Sequence, residues 1–343
     1  MLFKKEKSFL GVDIGSTSIK LVELKKKRNI PYLVTYGYGE KAIGDMIKSK
    51  PSEVAEKAAN LLKKIYQKSG AESFQAVTAL PNFSVFSSVI TLPVMSKKDL
   101  VDAIRWEAKK IIPISLEEVI LDWKIIETFK ANNKKNYRLL LTAASRRLVE
   151  RYVDIFRRAN LQLLSLETES FALSRSLLSK DEALTMIIDS SALTTDVVIF
   201  ENGIPTLNRS IDVGGITITK SIANCLKIDF ERAEQFKRDI GMSGSSKVPH
   251  IIQDVLRPVL DEIHYSLNLY QNQTGKLVEK IILSGGSAYL PNFPEFLSKN
   301  LETKVFIGNP WARVAYPKEL EPALKEIAPR FSVAIGLALR ELE

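Results

Sequence analysis

Short apolar runs separated by polar turns open this chain, and the same pattern returns about halfway along it. Leu10-Gly11-Val12-Asp13-Ile14 and Ile19-Lys20-Leu21-Val22 bracket Gly15-Ser16-Thr17-Ser18, which predicts two strands joined at a polar turn. Pro51 to Lys68 carries Val54, Ala58, Leu61, Leu62 and Ile65 at helical spacing, the buried face of a helix. Gln75 to Leu80 reads as a strand ending at Pro81-Asn82. Thr185-Met186-Ile187-Ile188-Asp189 and Val197-Val198-Ile199-Phe200 then repeat the opening design around small and hydroxyl residues. A third apolar run, Lys280-Ile281-Ile282-Leu283, ends in Ser284-Gly285-Gly286-Ser287. Two such hairpins half a chain apart are what a duplicated α/β domain produces.

Between the hairpins the periodicity changes. Val85 to Pro93 is a predicted strand, and Ser96 with Asp99 three residues on is a helix N-cap with an acid in the first turn. The helix carries Leu100, Ile104, Ala108 and Ile111 on one stripe and stops before Pro113. Strands from Val119 to Thr128 and Tyr137 to Ala143 flank a polar turn at 131–136. A helix from Ser145 to Ala159 turns Leu148, Tyr152, Ile155 and Phe156 inward, and a strand from Gln162 to Leu166 follows. This order suffices for a small α+β module, which the sequence places at 85–164. The first lobe is then 1–84, completed by 165–184 and a C-terminal helix at 325–343. The second lobe is 185–324, with an outer part at about 216–275.

The polar turns carry candidate chemistry. Gly15 lets the backbone pass close to a ligand, and the hydroxyls and N–H groups of Ser16 and Thr17 can point at phosphate oxygens. Asp13 can hold Mg²⁺ through water, since that ion prefers one or two carboxylates, its own waters and substrate phosphates. Lys20 adds a positive charge. Asp189, Thr194 and Thr195 offer the same elements again, and the bare backbone of Gly285-Gly286-Ser287 leaves room for a base or ribose. Each segment alone also fits an ordinary turn; their order and spacing together point to a nucleotide.

Composition bounds the reading. The chain has 343 residues, 45% hydrophobic and 26% charged, enough for two globular domains. The net charge is +9, with basic clusters at Lys25-Lys26-Lys27-Arg28, Lys134-Lys135, Arg146-Arg147 and Arg157-Arg158. No aromatic-interleaved basic stripe accompanies them, so nucleic acid is not an expected partner. Solvated faces, or attraction to an anionic membrane leaflet, account for them. Cys225 is the single cysteine, which predicts a reducing compartment and a small core residue on a helix. No run of about 20 apolar residues exists, and Met1-Leu2-Phe3-Lys4-Lys5-Glu6-Lys7 has no signal-peptide character, so a cytoplasmic location is expected. His250 and His264 lack the neighbours of a zinc site.

Taken together, the three motifs resemble the first phosphate, second phosphate and adenosine motifs of the actin-like ATPase superfamily. The module resembles the inserted α+β subdomain of the FtsA-related pilus assembly family PilM. Ala79-Leu80-Pro81, Arg105-Trp106-Glu107-Ala108 and Ile112-Pro113 look like that family's sequences. The resemblance implies a two-lobed actin-like α/β fold with ATP and Mg²⁺ in the cleft. Asp13 and Asp189 would serve the metal, Gly15, Ser16, Thr17, Lys20, Thr194 and Thr195 the phosphates, and Gly285, Gly286 and Ser287 the adenosine. Gly214-Gly215 resembles the superfamily's Gly-Gly segment at the outer second-lobe subdomain. Ala233-Glu234-Gln235-Phe236-Lys237 resembles its nucleoside helix, with Glu234 toward the ribose and Lys237 toward the base; a surface ion pair is the alternative. Leu166-Glu167-Thr168-Glu169 stands where relatives orient the attacking water, which implies Glu167; an acid favoured by the helix dipole is the other reading. Relatives have Asp-x-Gly where this chain has Asp189-Ser190-Ser191, so slow hydrolysis at most is expected. Phe331 to Leu339 is similar to the superfamily's hinge helix, with Gly336 permitting close packing.

The function that the resemblance implies is a cytoplasmic adaptor of type IV pilus assembly. It would dock the N-terminal cytoplasmic tail of a PilN-like bitopic membrane protein and so sit at the inner face of the cell membrane. The alternatives are an FtsA-like filament former, which carries self-association with it, and a small-molecule kinase. An apolar strand edge at Phe83, Val85, Phe86 and Val89, beside Lys97, Lys98, Arg105, Lys109 and Lys110, is where an extended peptide could add. Otherwise these apolar residues fill the module's interior.

Overall fold

Strand β1 (Ser8–Ile14) is buried from Leu10 onward, as a strand covered on both faces must be. It pairs antiparallel with β2 (Ser18–Lys27), which pairs antiparallel with β3 (Ile30–Glu40). Helix α1 (Pro51–Ser69) buries Val54, Ala58, Leu62 and Ile65 and leads into β4 (Gln75–Leu80), parallel to β1. Next come β5 (Val85–Pro93), α2 (Lys97–Ile111), β6 (Val119–Ala131), β7 (Lys134–Ser145), α3 (Arg146–Arg158), β8 (Gln162–Thr168) and α4 (Glu169–Leu177). The computed structural model describes residues 7–40, 51–131, 134–179, 183–244 and 246–343. The expectation made for residues 1–6 and the turn residues Asn132 and Asn133 lie outside them.

The second lobe repeats the first. Strands β9 (Thr185–Ser190), β10 (Thr195–Glu201) and β11 (Ile204–Ile211) precede α5 (Gly215–Leu226), α6 (Phe230–Ile240) and α7 (Lys247–Thr274). Then follow β12 (Lys280–Ser284), α8 (Phe293–Leu301), β13 (Val305–Ile307), α9 (Glu321–Ile327) and α10 (Ser332–Leu339). The first sheet runs β3-β2-β1-β4-β8 and the second β11-β10-β9-β12-β13. In both, the first three strands are antiparallel and the last two pairs parallel. The duplication read from the two hairpins is thus a duplication of whole sheets.

Helices α4 and α10 cross between the lobes. A Cβ at Gly11 of β1 would lie 2.0 Å from the Ala334 carbonyl, and one at Gly336 would lie 1.9 Å from the Ala172 carbonyl. Glycine therefore lets α10 press against β1 on one side and α4 on the other. Val77, Ala172, Leu173, Ile187, Val198, Phe200 and Leu337 form one apolar cluster here, drawing on both sheets and both helices.

The packing divides 85–164 differently from the sequence reading. Strands β5-β7-β6 form a separate antiparallel sheet, and α2 covers it through Leu100, Ile104 and Ala108 on Leu92, Leu139 and Leu141. Helix α3 instead buries Tyr152, Ile155 and Phe156 in the first-lobe core beside Leu62, and β8 pairs with β4. The self-contained module is 85–145. Ser96 caps α2 as expected, accepting the Asp99 N–H, while β6 and β7 run longer than the polar turn at 131–136 suggested. Of the apolar edge, Val85 packs on the first-lobe core and Phe86 on the module core; Phe83 remains 49% exposed. Cys225 lies on the exposed side of α5 rather than in a core. Among the described residues no helix is long and apolar enough to cross a membrane.

Candidate functional site

The two hairpin ends meet between the lobes. At the end of β1, Asp13 is buried, and its cross-strand partner is Lys20 on β2. The Lys20 ammonium bonds the Asp13 carboxylate at 2.8 Å, with both side chains largely covered. The turn between them is closed by the Gly15 N–H on the Ser18 carbonyl, leaving Gly15, Ser16 and Thr17 half-buried at the cleft.

In the second lobe the matching position carries a second acid. Asp189 is the penultimate residue of β9, and its cross-strand partner is Asp196; both are buried. Burial and the nearby Asp13 charge push Asp189 up to about 6, against the pull of Ser284 and Lys20. Burial and the Asp189 charge push Asp196 up to about 7. Glu169, the first residue of α4, also lies well above the carboxylate range, through burial and the charges of Asp196, Asp13 and Asp189. Four acids therefore share this region with one lysine among them, and at neutral pH some of their charge is held off by protons.

Asn82 and Tyr152 complete the floor. The Asn82 N–H donates to Glu169 at 3.0 Å, and its side-chain oxygen accepts from the Ser170 hydroxyl at 2.7 Å. Among the described residues neither its Nδ2 nor the Oδ1 of Asp196 has a hydrogen-bond partner at ordinary length, although the Asn82 amide is near enough to pull Asp196 down. The Tyr152 hydroxyl is buried and has no partner among the described residues either; burial and the charges of Glu169 and Asp13 raise it far above the usual phenol range.

The second-lobe turn is folded on itself. The Ser191 N–H bonds the Thr194 carbonyl, and the Gly215 and Ile216 N–H groups bond the Ser191 and Ala192 carbonyls, all at 2.9 Å. A Cβ at Gly214 would stand 2.6–2.7 Å from the Leu193 and Ala192 backbone. Thr195, expected to offer its hydroxyl to a ligand, is buried and donates to the Val213 carbonyl at 2.7 Å. Thr194 stays at the half-buried face beside Ser191.

The residues expected to hold the nucleoside lie close together. A Cβ at Gly215 would have the Lys237 Nζ and Ser287 Oγ each 3.4 Å away. Lys237 bonds Glu234 at 2.7 Å and the Gly215 carbonyl at 3.1 Å, while Thr219 bonds Glu234 at 2.6 Å. Burial lowers Lys237; Glu234 resists burial and is held low by Lys237, Thr219 and Arg238. Gly285, at φ +83°, packs so closely that a Cβ would lie 2.3 Å from the Ser190 carbonyl, whereas Gly286 faces open space.

Glu167 is placed elsewhere. Arg175 bonds its two oxygens at 2.8 and 3.1 Å, and Arg340 approaches at 3.3 Å. Arg175 also donates to the Gly336 carbonyl at 2.7 Å, so Glu167 ties β8 to the α4–α10 crossing. Glu169, two residues on, is the acid that faces the cleft. Thr168 is the N-cap of α4, and the start of that helix at the cleft was the signal available in the sequence. Asp196 was also missed, although its pairing with Asp189 follows from the hairpin.

These donors fit a hydrated divalent cation. Among the described residues no three acids, histidines or cysteines are arranged to bind an ion directly. Two buried acids from opposite lobes beside half-buried turns suit an ion held through water and phosphate.

A sequence profile of the type IV pilus assembly protein PilM family matches residues 11–342. The chain belongs to the PilM family. A solved structure titled PilM-PilN type IV pilus biogenesis complex superposes with a TM-score of 0.86 at 28% identity, covering 97% of this chain and 98% of that one. The cell division protein FtsA of Borreliella burgdorferi is 27% identical over 201 residues, 51% of this chain and 47% of that protein. The chain thus spans about half the length of this curated relative. MreB5 of Spiroplasma citri, solved bound to AMPPNP, shares the fold at 12% identity and a TM-score of 0.55, covering 96% of this chain and 94% of that one.

Proposed function

We propose that this PilM-family chain is an adaptor of type IV pilus assembly. It takes ATP with Mg²⁺ between its lobes and holds the N-terminal cytoplasmic tail of a PilN-like membrane protein, at the inner face of the cell membrane. The observation that carries the reading is the likeness along the whole chain to a PilM-PilN complex, joined to a cleft built from both hairpins. MreB5, of the same fold, was solved with a nucleotide analogue.

In this reading Asp13 and Asp189 hold the metal through water. Gly15, Ser16, Thr17 and Thr194 line the phosphates, with Lys20 beside Asp13. Gly214, Gly215, Glu234, Lys237 and Gly285 to Ser287 form the nucleoside wall. The bound ion would supply positive charge to the phosphates and to the acids around it. Glu169, rather than Glu167, is the residue suited to orient a water. The self-bonded turn at Ser191 offers phosphates few free N–H groups, which supports slow turnover. The nucleotide then acts as a ligand of the closed lobes, which requires that it bind the closed arrangement more tightly than the open one.

The tail has a natural place along β5, an edge strand of the module sheet. Beside it lies a cavity lined by Ser87, Ser88, Phe171, Thr206, Leu207 and Asn208, and β11, the edge of the second-lobe sheet, lies against it. Backbone pairing to such an edge gives affinity. The test is calorimetry of the full chain with a synthetic tail peptide, plus photocrosslinking from Ser88 and from Tyr265. Binding with capture only from Ser88 is the expected result. Absence of binding overturns the adaptor reading, and capture from Tyr265 moves the docking site to the second lobe. The kinase alternative has no comparable support, since Glu117, Glu118 and Asp122 are all exposed on the module.

A further inference from the structure

The far end of the module gathers more lysines than acids. Lys130 of β6 and Lys135 of β7 are direct cross-strand partners, and like charges so opposed are destabilising. Strand alternation puts Lys135 on the same face as Tyr137, Leu139 and Leu141, the face that α2 covers. The Val94 N–H bonds the Lys135 carbonyl at 3.0 Å, which brings the first turn of α2, with Lys97 and Lys98, to the same end. Lys134 stands at the turn. All five lysines are exposed, and none forms an ion pair with a described residue. Of the two acids nearby on α2, Asp99 is engaged by the Ser96 hydroxyl at 2.7 Å; Asp102 is the other.

Apolar side chains stand among these charges. Val94, Val101 and Trp106 are 40%, 38% and 65% exposed. Trp106 shares the solvent side of α2 with Lys98, Arg105 and Lys109, and the Lys110 ammonium sits 3.5 Å from its ring centroid. Lys110 is itself paired with Glu107 at 2.7 Å. Unpaired lysines beside the exposed Val94 and Val101, with Trp106 farther along the same helix, match a membrane–water boundary, where lysines reach headgroup phosphates and aromatic rings lie at headgroup level. We infer that this end of the module rests directly on an anionic bilayer surface. It is distinct from tail docking along β5, so each can fail without the other.

Flotation of the full chain with phosphatidylcholine vesicles, with and without phosphatidylglycerol, tests this. Wild type should float with the anionic vesicles alone and be released by salt. Lys135→Glu places opposite charges across the β6–β7 ladder, so folding should be unharmed, while partition falls about twenty-five-fold at roughly fivefold per charge. Trp106→Phe should abolish the blue shift of tryptophan emission on anionic vesicles, although Trp123 and Trp311 remain. Tail-peptide affinity in solution should be the same for all three proteins. Wild type left unbound, equal flotation with pure phosphatidylcholine, or Lys135→Glu floating like wild type would each overturn the inference.

Discussion

The two hairpins at the heart of this protein are built alike and charged differently. In the first, Asp13 faces Lys20 across the ladder; in the second, Asp189 faces Asp196 at the matching position. The first is a compensated pair, whose attraction offsets part of the desolvation of both ions. The second has no cation of its own and borrows the field of Lys20 from across the cleft. The turns differ too. A Cβ at Gly15 would meet nothing closer than 3.3 Å, whereas the second turn is pinned between Gly214 and Gly285. Duplication thus gave one lobe a balanced site with an open turn and the other a charge deficit on a rigid one. A bound cation would repair that deficit.

The largest expected effect tests the compensation. Lys20→Met should cost about 3–5 kcal/mol in urea unfolding, as for a broken buried pair. Asp196→Asn should instead stabilise the protein, on the order of 2 kcal/mol near pH 8. The sign follows from linkage. The folded protein keeps protons on Asp189 and Asp196 up to about 6 and about 7, where the unfolded chain has already lost them. Stability in the absence of metal therefore falls as pH rises through this window, and the cost is complete above it. The gain from Asp196→Asn should fade toward about pH 4. A pH-independent difference between the two proteins would break the comparison.

A smaller effect concerns the turns. Gly285→Ala, at φ +83° and against the Ser190 carbonyl, should cost about 3 kcal/mol. Gly15→Ala should cost under about 1 kcal/mol of stability while weakening Mg-ATP binding measured by calorimetry. Equal unfolding midpoints for the two variants would show that the second turn is no more rigid than the first.

The smallest effect is kinetic. Steady-state ATP turnover without a partner should stay below about 1 s⁻¹, the low end for ordinary enzymes. Ser191→Gly, which removes the hydroxyl that contacts Thr194, should raise it only severalfold. Wild-type turnover above that limit would mean that the pinned turn does not slow the chemistry.

Much of this was legible in the chain. Period-two and helical patterns determined the duplicated hairpins, α1, the capped α2 and the existence of the module's strands, because those patterns report burial on one face. Gly336 marked a close approach that the fold contains, whereas Gly285, read as room for a base or ribose, packs against the Ser190 carbonyl. Strand pairing in three dimensions decided the rest. Helix α3 and β8 went to the first lobe because their apolar faces meet α1 and β4, distant in sequence, which no local pattern encodes. Glu167 and Glu169 look equivalent in sequence. Only the α4–α10 crossing, which brings Arg175 and Arg340 to the first and three aspartates near the second, separates a structural clamp from a cleft acid. The excess charge around Asp189 is likewise tertiary, since it arises from acids on four separate elements forced into one desolvated space.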